Sequence, residues 1–142
     1  MSSVQVFVPK MPKGLTHNDL EAYIVRRKGK VYAAIRKGAK LKSAEDEIFP
    51  YLARARPTIP LMGPLHQRIK LCYPLVAGKD DGDPYDETPD YDNSIKVIND
   101  MLQRLGYYEN DSQIFDGHVS QYYSSQPGIF VKLWTKSGAD GS

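Results

Sequence analysis

The sequence is poor in several features on which whole classes of protein depend. It contains a single cysteine, Cys72, so no disulfide can form within the chain. Its place in an apolar run predicts a buried thiol in a reducing compartment, and a reactive cysteine is the alternative. No apolar run approaches the length of a membrane span, and the N-terminus lacks the charged-then-apolar pattern of a signal peptide. We therefore expect a cytoplasmic protein with no membrane partner.

Familiar catalytic patterns are also missing. The chain has no Gly-rich phosphate loop, no Cys/His spacing for zinc, no Ser-His-Asp arrangement and no internal repeat. His66 stands alone, and we interpret it as a surface or edge residue rather than a ligand. We expect no small-molecule cofactor. The composition, 41% hydrophobic and 25% charged over 142 residues, is that of one globular domain.

What the chain does have is three carboxylates around one predicted helix. Asp90 and Asp92 precede an apolar stripe, and Asp111 follows it. The stripe has spacings of three and four residues, which predicts an amphipathic helix, and it consists of Ile95, Ile98, Leu102 and Leu105. Either Asp92 or Asn93 is expected to cap the start of this helix, and Gly106 is expected to end it.

The three carboxylates point to a cation. Converging carboxylates with no nearby arginine repel one another, and a hard divalent cation with oxygen ligands relieves that repulsion. A helix of about thirteen residues is roughly 20 Å long. Asp111 can therefore return to Asp90 only if the chain after Asp111 forms a strand beside the one that delivers Asp90 and Asp92. We expect Asp90, Asp92 and Lys96 to face Asp111 across one end of a sheet.

The same residues resemble the signature of the RusA family of Holliday junction resolvases. The pattern is Asp-x-Asp-Asn-x-x-Lys-x-x-x-Asp-x-Leu over residues 90–102, followed by Asp-Ser-Gln-Ile over residues 111–114. The resemblance extends more loosely from Ser43 to Lys136, and residues 1–42 share only a basic character. Asn110 stands where the family usually has a second aspartate. Because the next aspartate is retained, we interpret this difference as a change beside the ligands rather than the loss of one.

The resemblance implies a Holliday junction resolvase, a Mg²⁺-dependent endodeoxyribonuclease that hydrolyses phosphodiesters on opposed strands of a four-way DNA junction in recombination and repair. Asp90, Asp92 and Asp111 are the expected metal ligands, and Mn²⁺ is a possible substitute for Mg²⁺. Lys96 shares a helix face with Asp92, so it is expected to hold the scissile phosphate or to stabilise the leaving oxygen. A homodimer and a bacterial or phage origin are also implied, since two symmetric sites suit two opposed cuts.

Three further residues are expected to support the catalytic group: Asn93, Asp100 and Gln113. Asp100 lies one turn beyond Lys96. It is either a fourth ligand or, as we favour, the i,i+4 partner that fixes Lys96.

Charge is divided unevenly along the chain. Residues 1–42 hold ten Lys/Arg against two acids, whereas residues 80–111 hold ten acids against two Lys/Arg. A basic segment holds phosphates by displacing their counterions, and an acidic one recruits cations. We predict a β-hairpin over residues 22–35 whose tip contacts DNA, with Gly29 in its turn. The expected DNA-binding residues are Arg26, Arg27, Lys28, Lys30, Arg36, Lys37 and Lys40.

The acidic linker is expected over residues 76–89. Its acidic part, residues 79–87, is superficially similar to a calcium loop, but its glycine and closing glutamate are misplaced for an EF-hand. We interpret it as a flexible loop that orders on metal or DNA binding, and a mobile loop without a role is the alternative. Tyr91 and the pair Tyr107-Tyr108 are candidates for stacking on an exposed base.

The predicted fold class is α+β. We expect a single RusA-like domain over residues 1–142, with a basic hairpin region (1–42), a core (43–136) and a frayed tail (137–142). A mixed sheet of four to five strands would carry two main helices. The first helix is expected from a capping-box-like sequence at Ser43 to about Arg56, with Pro50 either kinking it or delaying its start. The strands outside the hairpin are expected at residues 4–8, 65–75, 113–123 and 128–134, the last two as an antiparallel pair.

Two other functions remain open from the sequence. A non-catalytic protein that binds branched or single-stranded DNA would share the basic surface, and its acidic cluster would be structural. A metal nuclease with a broader preference for flaps or other branched DNA would share the catalytic residues. Cleavage of defined junctions with and without metal separates these functions.

Overall fold

The computed structural model describes residues 2–13, 15, 20–87 and 91–136. Within them the chain forms a mixed four-stranded sheet, a separate two-stranded sheet and two helices, which confirms the α+β prediction. The elements in chain order are β1 (Ser3–Val8), β2 (Leu20–Arg27), β3 (Lys30–Lys37), α1 (Ala39–Ala55), β4 (Leu65–Pro74), α2 (Tyr91–Arg104), a 3₁₀ turn (Asp111–Gln113), β5 (Ile114–Ser124) and β6 (Gly128–Thr135). The predicted tail, residues 137–142, lies outside the described residues.

The main sheet has the strand order β1-β6-β4-β5. β4 pairs with β5 in parallel and with β6 antiparallel, and β6 pairs antiparallel with β1. The predicted pairing of β5 with β6 is therefore wrong, although the two strands do run in opposite directions. The short connection between them suggested a hairpin, but β4 is apolar at alternate positions and takes the place between them. This strand order gives the buried β4 a partner on both sides.

Both helices lie on the same side of the main sheet, where the core is. Alternate residues of β4 are fully buried there, and α1 and α2 supply the other half of the core. The helix residues in this cluster recur at helical spacing, as expected for amphipathic helices: Leu41, Ala44, Ile48 and Leu52 of α1, and Val97, Ile98, Met101 and Leu102 of α2.

α1 begins four residues before the predicted start at Ser43. Gly38 occupies the N-cap with extended backbone and provides no side-chain cap. The capping-box prediction is therefore wrong. Leu41 is fully buried, so an earlier start adds an apolar anchor to the helix, and Glu45 is used elsewhere in an ion pair. The helix also continues through Pro50.

α2 also begins earlier than predicted. Its first residue is Tyr91, so Asp92 and Asn93 lie inside the first turn and neither is the N-cap. An aspartate in the first turn still favours the helix through the helix dipole. At the other end, Gly106 has a φ of +83°, so the prediction that this glycine terminates the helix is confirmed.

The described part of the acidic linker lies along the outer edge of β5 and is hydrogen-bonded to it. Tyr123 exchanges backbone hydrogen bonds with Gly82 and Asp83, and the N–H of Tyr85 donates to the carbonyl of Gln121. The ring of Tyr85 stacks on that of Tyr73 at 3.6 Å between centroids. The interpretation of this segment as a flexible loop is therefore wrong, because backbone pairing and ring stacking fix it on the sheet.

No helix in the described ranges is long and apolar enough to cross a membrane.

Candidate metal centre and DNA-binding surface

Asp111 opens a 3₁₀ turn that is held by a complete capping box. The side chain of Asn110 accepts a hydrogen bond from the N–H of Ser112 at 2.8 Å. The side chain of Gln113 accepts in return from the N–H of Asn110 at 3.1 Å. An asparagine performs this capping as well as an aspartate would. The difference from the family pattern at Asn110 therefore fits a residue that positions the backbone of Asp111 by capping the turn.

Gln113 also fastens this turn to the rest of the molecule. Its amide nitrogen donates to the carbonyls of Leu61 and Gly63, each at 3.0 Å, and its amide oxygen also accepts from the N–H of Glu109. The Gln113 amide thus donates two hydrogen bonds and accepts two, and together they join the segment before β4 to the segment before β5. Gln113 positions the backbone that carries Asp111.

The carboxylate of Asp111 is exposed, and among the described residues no hydrogen bond or ion pair engages it. Only its backbone N–H is used, as a donor to the side-chain oxygen of Gln103 at 3.2 Å. An oxygen ligand without a protein partner, on a backbone fixed by side-chain bonds, suits a hard cation such as Mg²⁺.

The first turn of α2 lies at the opposite end of the sheet from Asp111. Ser94 lines a cavity with Tyr73 and Pro74, where β4 ends, whereas the strand that follows Asp111 starts beside Leu65, where β4 begins. About 17 Å of helix separates position 92 from Gln103, at 1.5 Å per residue. The prediction that Asp92 and Asp111 of one chain meet at one end of the sheet is therefore wrong.

This separation follows from the direction of the chain. β4 and β5 are parallel, so the connection between them must return along the sheet, and α2 is that return. A helix that fills a crossover necessarily has its two ends at opposite ends of the strands. Asp90 lies outside the described residues, and Asp92 and Asn93 are described only as backbone positions in α2. Among the described residues, no three His, Cys, Asp or Glu side chains form a metal site.

The solvent face of α2 carries the other predicted catalytic residue. Lys96 is exposed on this face, and Asp100 and Gln103 follow it at helical spacing. Asp100 accepts a hydrogen bond from Arg104 at 3.0 Å, and Arg104 also reaches Glu45 of α1 at 3.0 Å. Arg104 therefore links the two helices. An i,i+4 pair of Asp100 is present, with Arg104 as the partner.

Tyr107 and Tyr108, which were expected to stack on DNA bases, are core residues. Both are fully buried. The hydroxyl of Tyr107 donates to the carbonyl of Leu52, and that of Tyr108 bonds to Asn99. Burial raises the pKa of Tyr107 to about 12, and burial together with the nearby charges of Asp111 and Asp100 raises the pKa of Tyr108. The stacking prediction is wrong for this pair, and the Tyr91 side chain lies outside the described residues.

The structure reveals a polar cluster that the sequence did not predict. Asp116 accepts hydrogen bonds from His66 at 2.5 Å and from His118 at 3.0 Å. The ring of His66 is also stacked on Trp134, with 5.0 Å between centroids. The hydrogen bond from His66 and the electrostatic interactions with His118 and His66 lower the pKa of Asp116. His66 does lie beside an edge strand. The alternation of Asp116 and His118 in β5 was the available signal, but only the pairing of β4 with β5 brings His66 to them.

The predicted DNA-binding hairpin is present as β2 and β3, which pair only with each other among the described strands. Its turn places Lys28 at φ +52° and Gly29 at φ +75°, as a two-residue turn of this type requires. Arg26, Arg27, Lys28 and Lys30 are exposed, as is Lys40 at the start of α1. The side chains of Arg36 and Lys37 lie outside the described residues. The hairpin therefore presents four cations on a narrow projection.

Comparisons with known proteins agree with the sequence pattern. The family model described as endodeoxyribonuclease RusA matches residues 19–134. The match includes the β2–β3 hairpin, which the resemblance seen in the sequence had left out. A relative from Bacillus subtilis (strain 168), "Uncharacterized protein YqaN", is 29% identical over 118 residues, which cover 75% of this chain and 81% of the relative.

Proposed function

Because the chain belongs to the RusA endodeoxyribonuclease family, we propose that it is a metal-dependent nuclease that cuts opposed strands of a four-way DNA junction. The observation that carries this proposal is the state of Asp111. A carboxylate that no described residue engages is held on a backbone that Asn110 and Gln113 fix with side-chain hydrogen bonds.

The proposed metal ligands are Asp90, Asp92 and Asp111. Their oxygen donors match the preference of Mg²⁺, and Mg²⁺ when bound would stabilise the charge that develops on the attacked phosphate. Lys96, exposed four residues after Asp92, would hold a phosphate oxygen in place. The exposed cations at the hairpin tip would bind the DNA backbone at a distance from the reaction.

We further propose that each metal site is completed between two protomers. Asp92 and Asp111 lie at opposite ends of α2 in one chain, so one chain supplies only part of the ligand set to one ion. In a symmetric dimer, Asp90 and Asp92 of one protomer would meet Asp111 of the partner subunit at each of two equivalent sites. Two sites in one particle also suit a reaction that requires two opposed cuts.

Mixing two inactive variants tests this arrangement. Asp92→Asn and Asp111→Asn should each fail to cut a synthetic four-way junction in Mg²⁺. A heterodimer of the two has one intact site if the ligands come from different protomers, so mixing after exchange of subunits should restore nicking of one strand. If each chain holds its own complete set, the mixture stays inactive. Size-exclusion chromatography with light scattering reports the dimer independently.

The same assay tests the broader proposal. The wild-type protein should nick opposed junction strands in Mg²⁺ and not in EDTA, with linear duplex and flap DNA as comparisons. Tight junction binding without cleavage under any metal would favour a non-catalytic branched-DNA-binding protein. Equal cutting of every substrate would favour a nuclease of broader specificity.

A further inference from the structure

One face of the main sheet points away from both helices. The β4 residues on the helix side are buried, whereas those between them are half-buried or exposed. The strand register joins these outward residues into rows across the sheet. We call this surface the open face, and its members are Ser3, Gln5, Phe7, His66, Arg68, Lys70, Cys72, Asp116, His118, Ser120, Tyr122, Gly128, Phe130, Lys132 and Trp134.

The open face is cationic. It carries Arg68, Lys70 and Lys132, and the register places Arg68 directly opposite Lys132. Arg68 is exposed, with no ion pair among the described residues. The one acid on this face, Asp116, is already bonded to two histidines. A surface on which three cations outnumber one acid suits a polyanion.

Aromatic rings lie between these cations. Phe7 is 45% exposed and pairs across the strands with Phe130. A Cβ on Gly128 would come within 2.5 Å of the Phe7 ring, so the ring lies against this glycine. The ammonium group of Lys70 lies 5.7 Å from the centre of the Phe130 ring. Aromatic rings that alternate with cations are the pattern by which proteins bind single-stranded nucleic acid.

We propose that the open face binds a single-stranded segment of the branched DNA substrate. Arg68, Lys70 and Lys132 hold consecutive phosphates, and Phe7 with Phe130 stacks on unpaired bases. Duplex DNA conceals the faces of its bases, so the exposed ring of Phe7 favours a strand that has left the helix. A second copy of this chain fits the surface less well, since a two-fold contact through its centre would bring the same three cations together. The inference rests on the proposed function for the identity of the nucleic acid.

Binding of a fluorescent oligo(dT) in EDTA tests the proposal without cleavage. Phe7→Leu keeps an apolar strand residue but removes the ring, and should weaken binding at least about fivefold, since stacking contributes about 1–3 kcal/mol per base. Phe49→Leu is the matched control, because Phe49 is 41% exposed on α1, away from the open face. It should bind as the wild type does.

The cation variant gives a second and independent measurement. Arg68→Gln should weaken binding and reduce the slope of log affinity against log salt concentration by about 0.7, the value for one phosphate contact on a single strand. Arg54→Gln, on α1, should leave the slope unchanged. Photocrosslinking of an oligonucleotide that contains 5-iodouracil should label Phe7 or Phe130, and mass spectrometry of the peptides identifies the site.

Wild-type affinity and slope in both open-face variants, or crosslinks confined to the β2–β3 hairpin, would overturn the inference. So would a Phe7→Leu variant that turns a dimer into a monomer, because the face would then be an interface between copies. The experiments also distinguish a failure of the proposed nuclease function from a failure of this inference. A protein that binds oligo(dT) on this face yet never cuts junctions would refute only the nuclease assignment, whereas unaltered binding by the open-face variants of an active nuclease would refute only this inference.

Discussion

The loop that holds Asp81 and the loop that holds Asp111 flank the two ends of β5, and both are acidic. Asp81 accepts hydrogen bonds from the backbone N–H and the hydroxyl of Ser125, at 3.1 and 2.9 Å. Its neighbour Asp83 accepts from the N–H of Asp80. By contrast, no described residue engages the carboxylate of Asp111, although its backbone is held by four side-chain bonds of Gln113. The first loop uses its carboxylates in hydrogen bonds of the fold, whereas the second leaves the carboxylate of Asp111 without a partner among the described residues.

This contrast shows that the number of acidic residues in a loop does not identify the candidate site. The linker is the richer of the two in Asp and Glu, yet the carboxylates of Asp81 and Asp83 are used in hydrogen bonds of the loop itself. What distinguishes Asp111 is that its oxygens are available while its backbone is fixed. A fixed ligand loses little conformational entropy when it binds a cation.

The comparison predicts its largest effect for a pair of matched substitutions. Asp111→Asn removes a ligand charge and should lower junction cleavage at least about a hundredfold, since a bound metal provides several kcal/mol of transition-state stabilisation. Asp81→Asn, also in an acidic loop beside β5, should retain activity within about threefold. Initial rates of junction cleavage under saturating Mg²⁺ measure both. Comparable losses in the two variants would abolish the distinction between the loops.

A smaller effect is expected from the residue that fixes the Asp111 loop. Gln113→Ala removes four hydrogen bonds and should lower the free energy of unfolding by about 1–3 kcal/mol. It should also lower cleavage about tenfold with a raised requirement for Mg²⁺, because the ligand is no longer held in place. Gln126→Ala, at an exposed turn, is the control. Urea unfolding and a Mg²⁺ titration of the cleavage rate provide the measurements. An unchanged Mg²⁺ dependence would mean that Gln113 acts on stability alone.

The smallest effect concerns the pH dependence of the linker. Hydrogen bonds from the Ser125 side chain and backbone lower the pKa of Asp81 below its usual value near 3.8. A carboxylate with a lowered folded-state pKa stabilises the fold above its unfolded pKa, and this contribution is lost as pH falls through the folded value. Asp81→Asn should therefore lower Tm slightly at pH 6, and the difference should disappear once the pH falls below the lowered folded-state pKa of Asp81. A Tm difference that stays constant as the pH falls would show that the charge of Asp81 does not contribute to stability.

The sequence predicted local features well because local physics determines them. The helical spacing of Ile98 and Leu102 predicted α2, and Gly29 and Gly106 marked a turn and a helix end correctly. Pairing between distant strands was not accessible in this way. Placing β4 between β5 and β6 depends on the total burial in the sheet, which no short window of sequence contains.

Prediction of the candidate site from the sequence was limited because it too depends on contacts between distant parts of the chain. Motif spacing identified Asp92 and Asp111 but not their separation, because that separation depends on β4 and β5 being parallel. Tyr107 and Tyr108 appeared to be surface aromatics in a polar loop, and only the packed structure reveals them as core residues with bonded hydroxyls. The open face was likewise invisible, since its cations come from β4 and β6, which are far apart in the chain.

The strand order also has a consequence for the synthesis of the protein. Every pair in the main sheet joins strands that are distant in sequence, as in the pairing of Val4 with Leu133. A nascent chain that has not yet produced β6 lacks the strand that connects β1 to β4. Among the strand pairs that the structure describes, only the β2–β3 hairpin joins neighbouring residues, so it can form as they leave the ribosome. The four-stranded sheet can therefore be completed only after β6 has been synthesised, and topologies rich in such distant contacts fold slowly.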